Sequence, residues 1–376
     1  MLWRTYLLRF MHEVTIKQQW TIRQAGGTAL APRAISLLVG VHEQGSLASA
    51  CTTLGVSYRH AWELIRQGEA MFGEPLMVME RGKGSKLTPL GERLVWADKR
   101  ITARLSPVLD SLASELGAEI QKVLARVPTL LRIHASHGFA MQTLHHALVA
   151  DELPNDLKYC SSVEALASLH NATCDAAGFH VPQGEFETPV VEFYRQWLSV
   201  GSQKLINIAW RHQGMMVAPG NPKKIYGLKD LLRPGVRFIN RQAGSGTRLL
   251  LDMLLRKEGI DPARIKGYEQ CEFTHAAVAA FVASGMADVG YGVETPARQF
   301  KLDFVPSQSE RYFLLCDERS LDAPVMQQML EILRGDEFKQ AVDRLPGYEA
   351  RDCGTVIELD EAFEALQTPV AKKRRG

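Results

Sequence analysis

The chain has 376 residues, enough for two or three domains, and a formal net charge of only +2. Residues 1–128 carry 16 Lys and Arg against 11 Asp and Glu, a net charge of +5, so the remainder is net −3, which indicates nucleic-acid binding by the N-terminal part alone. No apolar run approaches 18 residues, which excludes a membrane-spanning helix, and six cysteines without a C-x-x-C pair are typical of reduced thiols in a cytoplasmic protein.

Residues 1–27 are predicted to be an extension that precedes the first domain. Arg4 and Arg9 interrupt its apolar residues and no cleavage site follows, so we do not expect a signal peptide. The segment 14–22 alternates apolar and polar residues, a pattern that predicts an edge strand.

Residues 28–95 follow the pattern of a winged helix-turn-helix. A supporting helix is expected over residues 32–43. Ser46 is a suitable N-cap for the next helix, which ends at Gly55, and Ser57 is a suitable cap for the helix after it. Residues 76–87 then predict a basic hairpin, or wing, before another capped helix.

This order of elements places one helix in a DNA major groove and a charged wing on the flanking backbone. Arginine is suited to guanine edges, and a helix N-terminus to phosphate. The alternative is an ordinary helical hairpin with a solvated basic face. The residues predicted to bind DNA are Ser46, Ser57, Tyr58, Arg59, Trp62, Arg66, Arg81, Lys83 and Lys86.

The segment from about residue 28 to 125 resembles the winged helix-turn-helix of LysR-type regulators and, more strongly, that of ModE-type molybdate-responsive regulators. The residues that carry the resemblance are Gly45-Ser46-Leu47 and Ser57-Tyr58-Arg59-His60-Ala61-Trp62. The resemblance implies binding to double-stranded DNA as a dimer.

Residues 96–128 are predicted to form a linker helix. Leu94, Ile101, Leu105, Val108 and Leu112 form an apolar seam, which indicates pairing with a second copy or, alternatively, packing on its own domain. Pro107 is expected to kink or split this helix.

Residues 129–365 alternate strands and helices, which predicts an α/β domain with a mostly parallel sheet. A strand, a Ser- or Gly-containing loop and a helix occur near residue 136 and again near residue 245. This repeat predicts two lobes that face each other across a cleft. Residues 366–376 form a basic tail, expected to be solvated, with contact to the DNA backbone as the minority alternative.

The loop Gly244-Ser245-Gly246-Thr247 at the second repeat is suited to binding a small anion. Glycines allow close approach of the backbone, a helix N-terminus offers unpaired N–H groups, and the hydroxyls add neutral donors. Arg241 and Arg248 either add charge or lie on the surface. The alternative is a plain strand-to-helix connection, and the spacing does not match a P-loop.

Residues 130–315 resemble the type II periplasmic-binding-protein domains that are fused to ModE-type regions or to molybdenum-cofactor enzymes. The matching motifs are Arg211-His212-Gln213-Gly214, Gly220-Asn221-Pro222, 236–242, 244–248, 274–278 and 285–290. The resemblance implies molybdate or tungstate as ligand, or formate, because regulators of formate dehydrogenase operons share the architecture. The predicted ligand-binding residues are Ser136, His137, Arg241, Gly244, Ser245, Gly246, Thr247 and Thr274.

The sequence therefore predicts a cytoplasmic transcriptional regulator, a dimer or tetramer, that senses a small anion and has no cofactor. His134, His137, His145, His146 and His180 lack the spacing of a metal site and are expected to be structural. No G-x-S-x-G or H-E-x-x-H motif is present, so we expect no catalysis. The alternatives are a two-lobed transferase and an architectural DNA-binding protein whose C-terminal domain only oligomerises.

Overall fold

The computed structural model describes residues 14–80, 84–125 and 130–367. The chain forms two compact units, one of Lys17–Leu105 and one that begins at Ser106 and includes residues 14–16. The elements from the first unit onwards are α1 (Pro32–Gln44), α2 (Leu47–Leu54), α3 (Tyr58–Phe72), β1 (Met77–Glu80), β2 (Gly84–Leu87) and α4 (Pro89–Ala125), the last continuing into the second unit.

Local sequence explains where the short helices begin and end. The Ser46 hydroxyl accepts a hydrogen bond from the backbone N–H of Ser49, and the Ser57 hydroxyl accepts one from that of His60, so both serines are N-caps. Gly55 ends α2 with φ at 61°, in the left-handed region. The apolar faces meet in one core that includes Leu37, Leu38, Leu47, Ala61, Ile65 and Leu76.

The strand predicted over residues 14–22 is wrong. Residues 14–22 belong to no strand, and the isolated bridge that follows them joins Arg23 to Ala29. Side chains of residues 14–22 bond to α4 instead, since the Trp20 indole N–H donates to Asp98 at 2.8 Å and the Gln18 amide to Thr102. Side-chain bonds to a helix thus replace the expected backbone pairing.

The wing packs against the turn between α1 and α2. The Ser85 N–H donates to the Gly45 carbonyl at 3.0 Å, and the Ser85 hydroxyl accepts from the Leu47 N–H at 3.1 Å. A Cβ on Gly84 would lie 2.5 Å from that carbonyl oxygen, so the approach requires glycine. Residues 81–83, including Arg81 and Lys83, lie outside the described residues.

Helix α4 continues through Pro107, so the proline does not split it, and the kink, which was the other expected outcome, stays a prediction. Leu94 is buried in the core of the first unit and does not belong to an exposed seam, whereas Leu105, Val108 and Leu112 are exposed. Leu116, one turn further, is exposed as well. The apolar seam therefore begins later along the helix than its sequence spacing indicated.

The second unit contains one mixed sheet with helices on its faces. The strand order is β4-β3-β5-β10-β6-β9-β7-β8, and β11 and β12 also pair with β6. Its elements are β3 (Leu131–Ala135), α5 (Phe139–Ala150), β4 (Asn155–Tyr159), α6 (Ser162–His170), β5 (Ala176–Pro182), α7 (Glu187–Tyr194), β6 (Gln203–Val217), β7 (Phe238–Arg241), α8 (Gly246–Lys257), β8 (Cys271–Glu272), α9 (His275–Ala283), β9 (Val289–Val293), α10 (Glu294–Gln299), β10 (Asp303–Asp317), α11 (Pro324–Arg334), α12 (Asp336–Asp343), β11 (Tyr348–Glu349), β12 (Val356–Glu358) and α13 (Leu359–Ala362).

The sheet is not mostly parallel, contrary to the prediction. β6 and β10 are each 15 residues long and pair antiparallel along their whole length. One half of this ribbon pairs with β5, β11 and β12, and the other half with β9. Two lobes therefore share one pair of strands. β6 is buried on both faces along most of its length, which hides the period-two pattern that would have identified it as a strand.

The repeated strand–loop–helix is confirmed. β3 leads through Ser136–Gly138 into α5, and β7 leads through the Gly244 loop into α8. A third connection of the same kind joins β8 to α9. These loops follow the carboxyl ends of parallel strands, where open α/β sheets bind ligands.

The cysteines are free thiols that differ in exposure. Cys51, Cys174, Cys316 and Cys353 are buried free thiols, Cys160 is half-buried and Cys271 is exposed. Within the described ranges, no helix has both the length and the apolarity needed to cross a bilayer.

Candidate functional site

The outer face of α3 carries the exposed residues that the sequence assigned to DNA. Tyr58, Arg59 and Arg66 are exposed, and Trp62 is half-buried. The Tyr58 and Trp62 rings meet edge to face at 6.3 Å, and the Arg66 guanidinium lies 5.9 Å from the Trp62 ring centre. In the described part of the chain, neither Arg59 nor Arg66 has an ion-pair partner.

Such a face offers free cations and aromatic edges in one row along a helix. Guanidinium groups without a protein partner are available for phosphates and for base edges. Lys86 on the wing is also exposed. Ser46 and Ser57 differ from the other predicted residues, because their hydroxyls already cap helices.

A second constellation lies where the shared ribbon passes from one lobe to the other. Arg211 on β6 and Glu310 on β10 are directly opposite each other and fully buried, and the Arg211 Nε donates to Glu310 Oε1 at 2.5 Å. The Gln213 amide donates to the same oxygen at 2.9 Å and to the Thr247 hydroxyl at 3.1 Å. Together with Arg241, these side chains form the arginine cluster: Arg211, Gln213, Arg241, Thr247 and Glu310.

Arg241 supplies a second buried guanidinium to this cluster. It is buried at the end of β7, and its electrostatic neighbours are Arg211 and Glu310. Burial, and then the repulsion of Arg211, lower the pKa of Arg241 to about 9. Glu310 bonds to Arg211 and holds the pKa of that guanidinium above its usual value despite burial. Within the five residues of the arginine cluster, the two guanidinium groups exceed the one carboxylate by a single positive charge.

Unfilled hydrogen-bonding groups surround that charge. Arg241 Nε donates to no acceptor in the described residues, and Arg241 Nη2 donates to the Phe273 carbonyl at 2.9 Å. Gln213 Oε1 in the cluster and His180 Nε2, whose ring lies beside Arg211 and Arg241, are likewise buried without a partner among those residues. Each such group costs about 1–3 kcal/mol unless something else satisfies it.

Three neutral histidines line the same region. Burial, followed by Arg241 and Arg211, lowers the pKa of His137 to about 4. The pKa values of His180 and His275 are also well below the ordinary range, because both rings are buried beside the same arginines. His275 Nδ1 accepts the Val293 N–H, so its Nε2 carries the proton and is a donor.

Three helix N-termini meet the arginine cluster. A Cβ on Gly138, the N-cap of α5, would lie 3.3 Å from Arg211 Nη1. Thr247 in the first turn of α8 accepts from Gln213, and Arg241 binds the carbonyl next to Thr274, the N-cap of α9. Each N-terminus adds partial positive charge. The arrangement is chemically suited to holding a small anion.

The structure separates the predicted ligand residues into two groups. Ser136 contacts His180 at 3.2 Å, and His137, Arg241, Thr247 and Thr274 also lie in or beside the arginine cluster.

Ser245 belongs to the second group, because its hydroxyl donates to the Gln242 carbonyl at 2.9 Å and accepts from the Arg248 N–H at 3.2 Å. Gly244, Ser245 and Gly246 also line a cleft of about 200 Å³ together with Phe193 and Tyr194. No residue of the arginine cluster lines this cleft.

Sequence reasoning missed several residues of the constellation. Arg211 and Gln213 were noted only as part of a motif, and His180, His275 and Glu310 were not assigned to the ligand site. The alternation Arg211-His212-Gln213 was the available signal, because two polar residues at a spacing of two share one face of a strand. Glu310 carries no local signal, since only the pairing of β6 with β10 brings it to Arg211.

Family comparisons match both parts of the chain. Residues 32–92 match the bacterial regulatory helix-turn-helix proteins of the lysR family. Residues 148–334 match the PBP superfamily domain. The chain therefore joins a LysR-type helix-turn-helix domain to a PBP-like α/β domain. The model that matches residues 32–92 describes bacterial regulatory proteins.

Two curated proteins are each similar to part of the chain. The uncharacterised protein YvgK of Bacillus subtilis (strain 168) is 34% identical over 200 residues, 53% of this chain and 64% of that protein. The molybdenum transport protein ModE of Azotobacter vinelandii is 32% identical over 103 residues, 25% of this chain and 38% of that protein. The chain spans less than two thirds of both relatives.

Among solved structures, the full-length LysR-type regulator LysG of Corynebacterium glutamicum, with its effector arginine bound, is also similar. It aligns at 15% identity and a TM-score of 0.40, covering 83% of this chain and 98% of that chain.

Proposed function

We propose that the protein is a DNA-binding transcriptional regulator whose PBP-like domain senses a small anion. The observation that carries the proposal is the arginine cluster, in which a buried guanidinium meets the N-termini of three helices. Burying such a charge is unfavourable for folding alone. A bound anion offsets that penalty, which gives the cluster a functional reason to exist.

The proposed anion is molybdate, tungstate or formate. The name of ModE, a molybdenum transport protein, supports testing molybdate and tungstate first. All three anions present only acceptor atoms to Arg241, to the Thr247 hydroxyl and to the open N–H groups of the helices. The target proposed with them is an operon for a molybdenum or tungsten enzyme or a formate dehydrogenase.

The proposed DNA contact is made by the outer face of α3 and by the wing. Arg59, Trp62 and Arg66 would read base edges or position the helix on phosphates, with Tyr58 beside them. Lys86, together with Arg81 and Lys83, would contact the DNA backbone. Binding of this kind weakens steeply with salt, at a slope of about −0.9 per neutralised phosphate.

A second copy of the chain is the proposed partner of α4. Leu105, Val108, Leu112 and Leu116 are 39%, 56%, 48% and 43% exposed and recur at intervals of three and four along the helix. That spacing forms a continuous apolar seam, as in helix pairs. A dimer also suits operators with two half-sites. A dimer, or a tetramer built from dimers, is therefore the proposed form.

The mechanism follows from the shared ribbon. An anion that contacts residues of both lobes favours their closed arrangement, and closure changes the position of the helices that read DNA. The anion changes DNA binding only if its affinity for the closed arrangement of the lobes differs from its affinity for the open one.

Anion binding by the purified protein tests the proposal. Molybdate, tungstate, formate, sulfate and phosphate are screened by thermal shift and calorimetry, with wild type and Arg241→Met in parallel. We expect at least one of the first three anions to bind wild type and not the variant. The variant alone should melt at an equal or higher temperature, because it lacks a buried charge. A wild-type protein indifferent to all five anions contradicts the proposal.

A further inference from the structure

The linker helix α4 closes the open edge of the sheet in the PBP-like domain. β4 is the edge strand, with only β3 as a neighbour. On its outer side, the Leu157 N–H donates to the Ser114 hydroxyl at 2.7 Å and the Tyr159 N–H donates to the Ser111 hydroxyl at 2.9 Å. Two serines of a helix therefore take the place of a missing strand.

These two hydroxyls are held in place. Ser114 is buried, and Ser111 is half-buried and donates its own proton to the Pro107 carbonyl at 2.9 Å. The Ser111 oxygen therefore presents its lone pairs to Tyr159. Serine in mid-helix has no packing advantage over alanine, so the hydrogen bonds to β4 explain why both positions are serine.

The same strand reaches the anion-binding loop. The Tyr159 ring packs edge-on against His137 at 4.9 Å between ring centres, and the Cys160 N–H donates to the Ala135 carbonyl directly before Ser136. Burial, and then Asp110 of α4, raise the pKa of the Tyr159 phenol. Tyr159 therefore contacts the pocket loop through its ring and the linker helix through its backbone.

We propose that Ser111 and Ser114 are positioning residues that couple the anion site to the linker helix. When the Ser136–His137 loop moves around an anion, it carries Tyr159 and the end of β4. The two serine bonds pass that displacement to α4. The inference rests on the proposed function, since it assigns the route by which an anion would influence DNA binding.

Amide hydrogen exchange tests the first step without DNA. We expect the anion identified by the screen to slow exchange at the Leu157 and Tyr159 amides of wild type. In Ser111→Ala/Ser114→Ala this slowing is lost, because the amides no longer have acceptors. Ser111→Thr/Ser114→Thr should restore it, since threonine keeps the hydroxyl. Saturating anion that leaves both wild-type amides unchanged overturns the inference, while the proposed function stands.

Operator affinity with and without the anion tests the second step. Coupling of about 5- to 150-fold is typical of allosteric proteins, and we expect the double alanine variant to lower it to within about twofold of unity. Anion affinity by calorimetry, and operator affinity without anion, should remain close to wild type. The matched control is Glu115→Ala, on an exposed position of the same helix, which should keep full coupling.

Two outcomes separate the proposals. A folded double alanine variant with wild-type coupling overturns the inference alone. A wild-type protein that binds anion and shows the amide effect, but whose operator affinity never changes, contradicts the proposed function and leaves the contact between pocket and helix established.

Discussion

Two hydroxyls at the start of α8 have different surroundings and therefore different expected roles. The Ser245 hydroxyl is fully used within the loop, as both donor and acceptor. The Thr247 hydroxyl accepts from Gln213, so its proton remains for an acceptor outside that bond. Ser245 is best explained as the N-cap of α8 and Thr247 as a residue of the anion site.

We predict that Thr247→Val mainly weakens anion binding, whereas Ser245→Ala mainly lowers folding stability. Thr247→Val should weaken anion binding by about 1–3 kcal/mol, because a buried acceptor of the ligand loses its partner. Ser245→Ala should lower the free energy of unfolding by about 0.5–2 kcal/mol, the usual cost of a lost N-cap. Calorimetry and denaturant unfolding measure the two effects. Equal loss of anion affinity in both variants would contradict the distinction.

The row of residues on α3 makes a second prediction at this scale. Arg59→Ala and Trp62→Ala should each weaken operator binding by about 1–3 kcal/mol if they contact bases, without changing anion affinity. Arg264→Ala, an exposed arginine in the other unit, removes the same charge and is the control. Fluorescence anisotropy with operator and random duplex measures the effect. Unchanged specific binding in both α3 variants would exclude this face as the reader.

At the scale of elements, α4 presents two surfaces with different chemistry. One face holds β4 through Ser111 and Ser114, and the other exposes the seam of Leu105, Val108, Leu112 and Leu116. The polar face belongs to its own chain, and the apolar one is open in the monomer. Both surfaces lie on one continuous helix.

We predict that Leu112→Glu/Leu116→Glu separates the protein into monomers. Four like charges would meet in the proposed helix pair, where the wild type buries leucine. The melting temperature of the PBP-like domain should change little, because both leucines are already exposed in the monomer. Analytical ultracentrifugation measures the oligomeric state, and Glu115→Gln on the same helix is the control. A variant that stays dimeric places the interface elsewhere.

At the scale of the whole molecule, three neutral histidines link stability to pH. The pKa of His137 is lowered to about 4, and those of His180 and His275 are well below the ordinary value of about 6.5. Below pH 6.5 the unfolded chain therefore takes up protons that the folded protein does not. Proton uptake by the unfolded state alone favours unfolding.

We therefore predict that the free energy of unfolding falls as the pH is lowered from about 6.5 towards 4. Denaturant titrations between those values measure the change. His137→Gln removes one of the three groups and should make the dependence shallower. If the free energy of unfolding of His137→Gln depends on pH as steeply as that of wild type, His137 does not contribute to the pH dependence.

Local signals explain what the sequence could and could not predict. Caps at Ser46 and Ser57 and the strand–loop–helix repeats depend on neighbours in sequence, and these predictions are confirmed. The Arg211–Glu310 pair joins residues 99 positions apart, and only the pairing of β6 with β10 brings them together. What depends on long-range strand pairing was missed for that reason.

The ribbon of β6 and β10 has a consequence for how such a domain can change. Arg211, Gln213 and Glu310 lie on the strands that the two lobes share, whereas Ser136 lies in the loop before α5 and Thr247 in the first turn of α8, next to the loop that follows β7. Mutations in the loops can alter which molecule is recognised while the bending part stays intact. Mutations on β6 and β10 alter ligand recognition and the movement of the lobes together. Descendants of this fold should therefore acquire new ligands through their loops and keep the inherited mechanics.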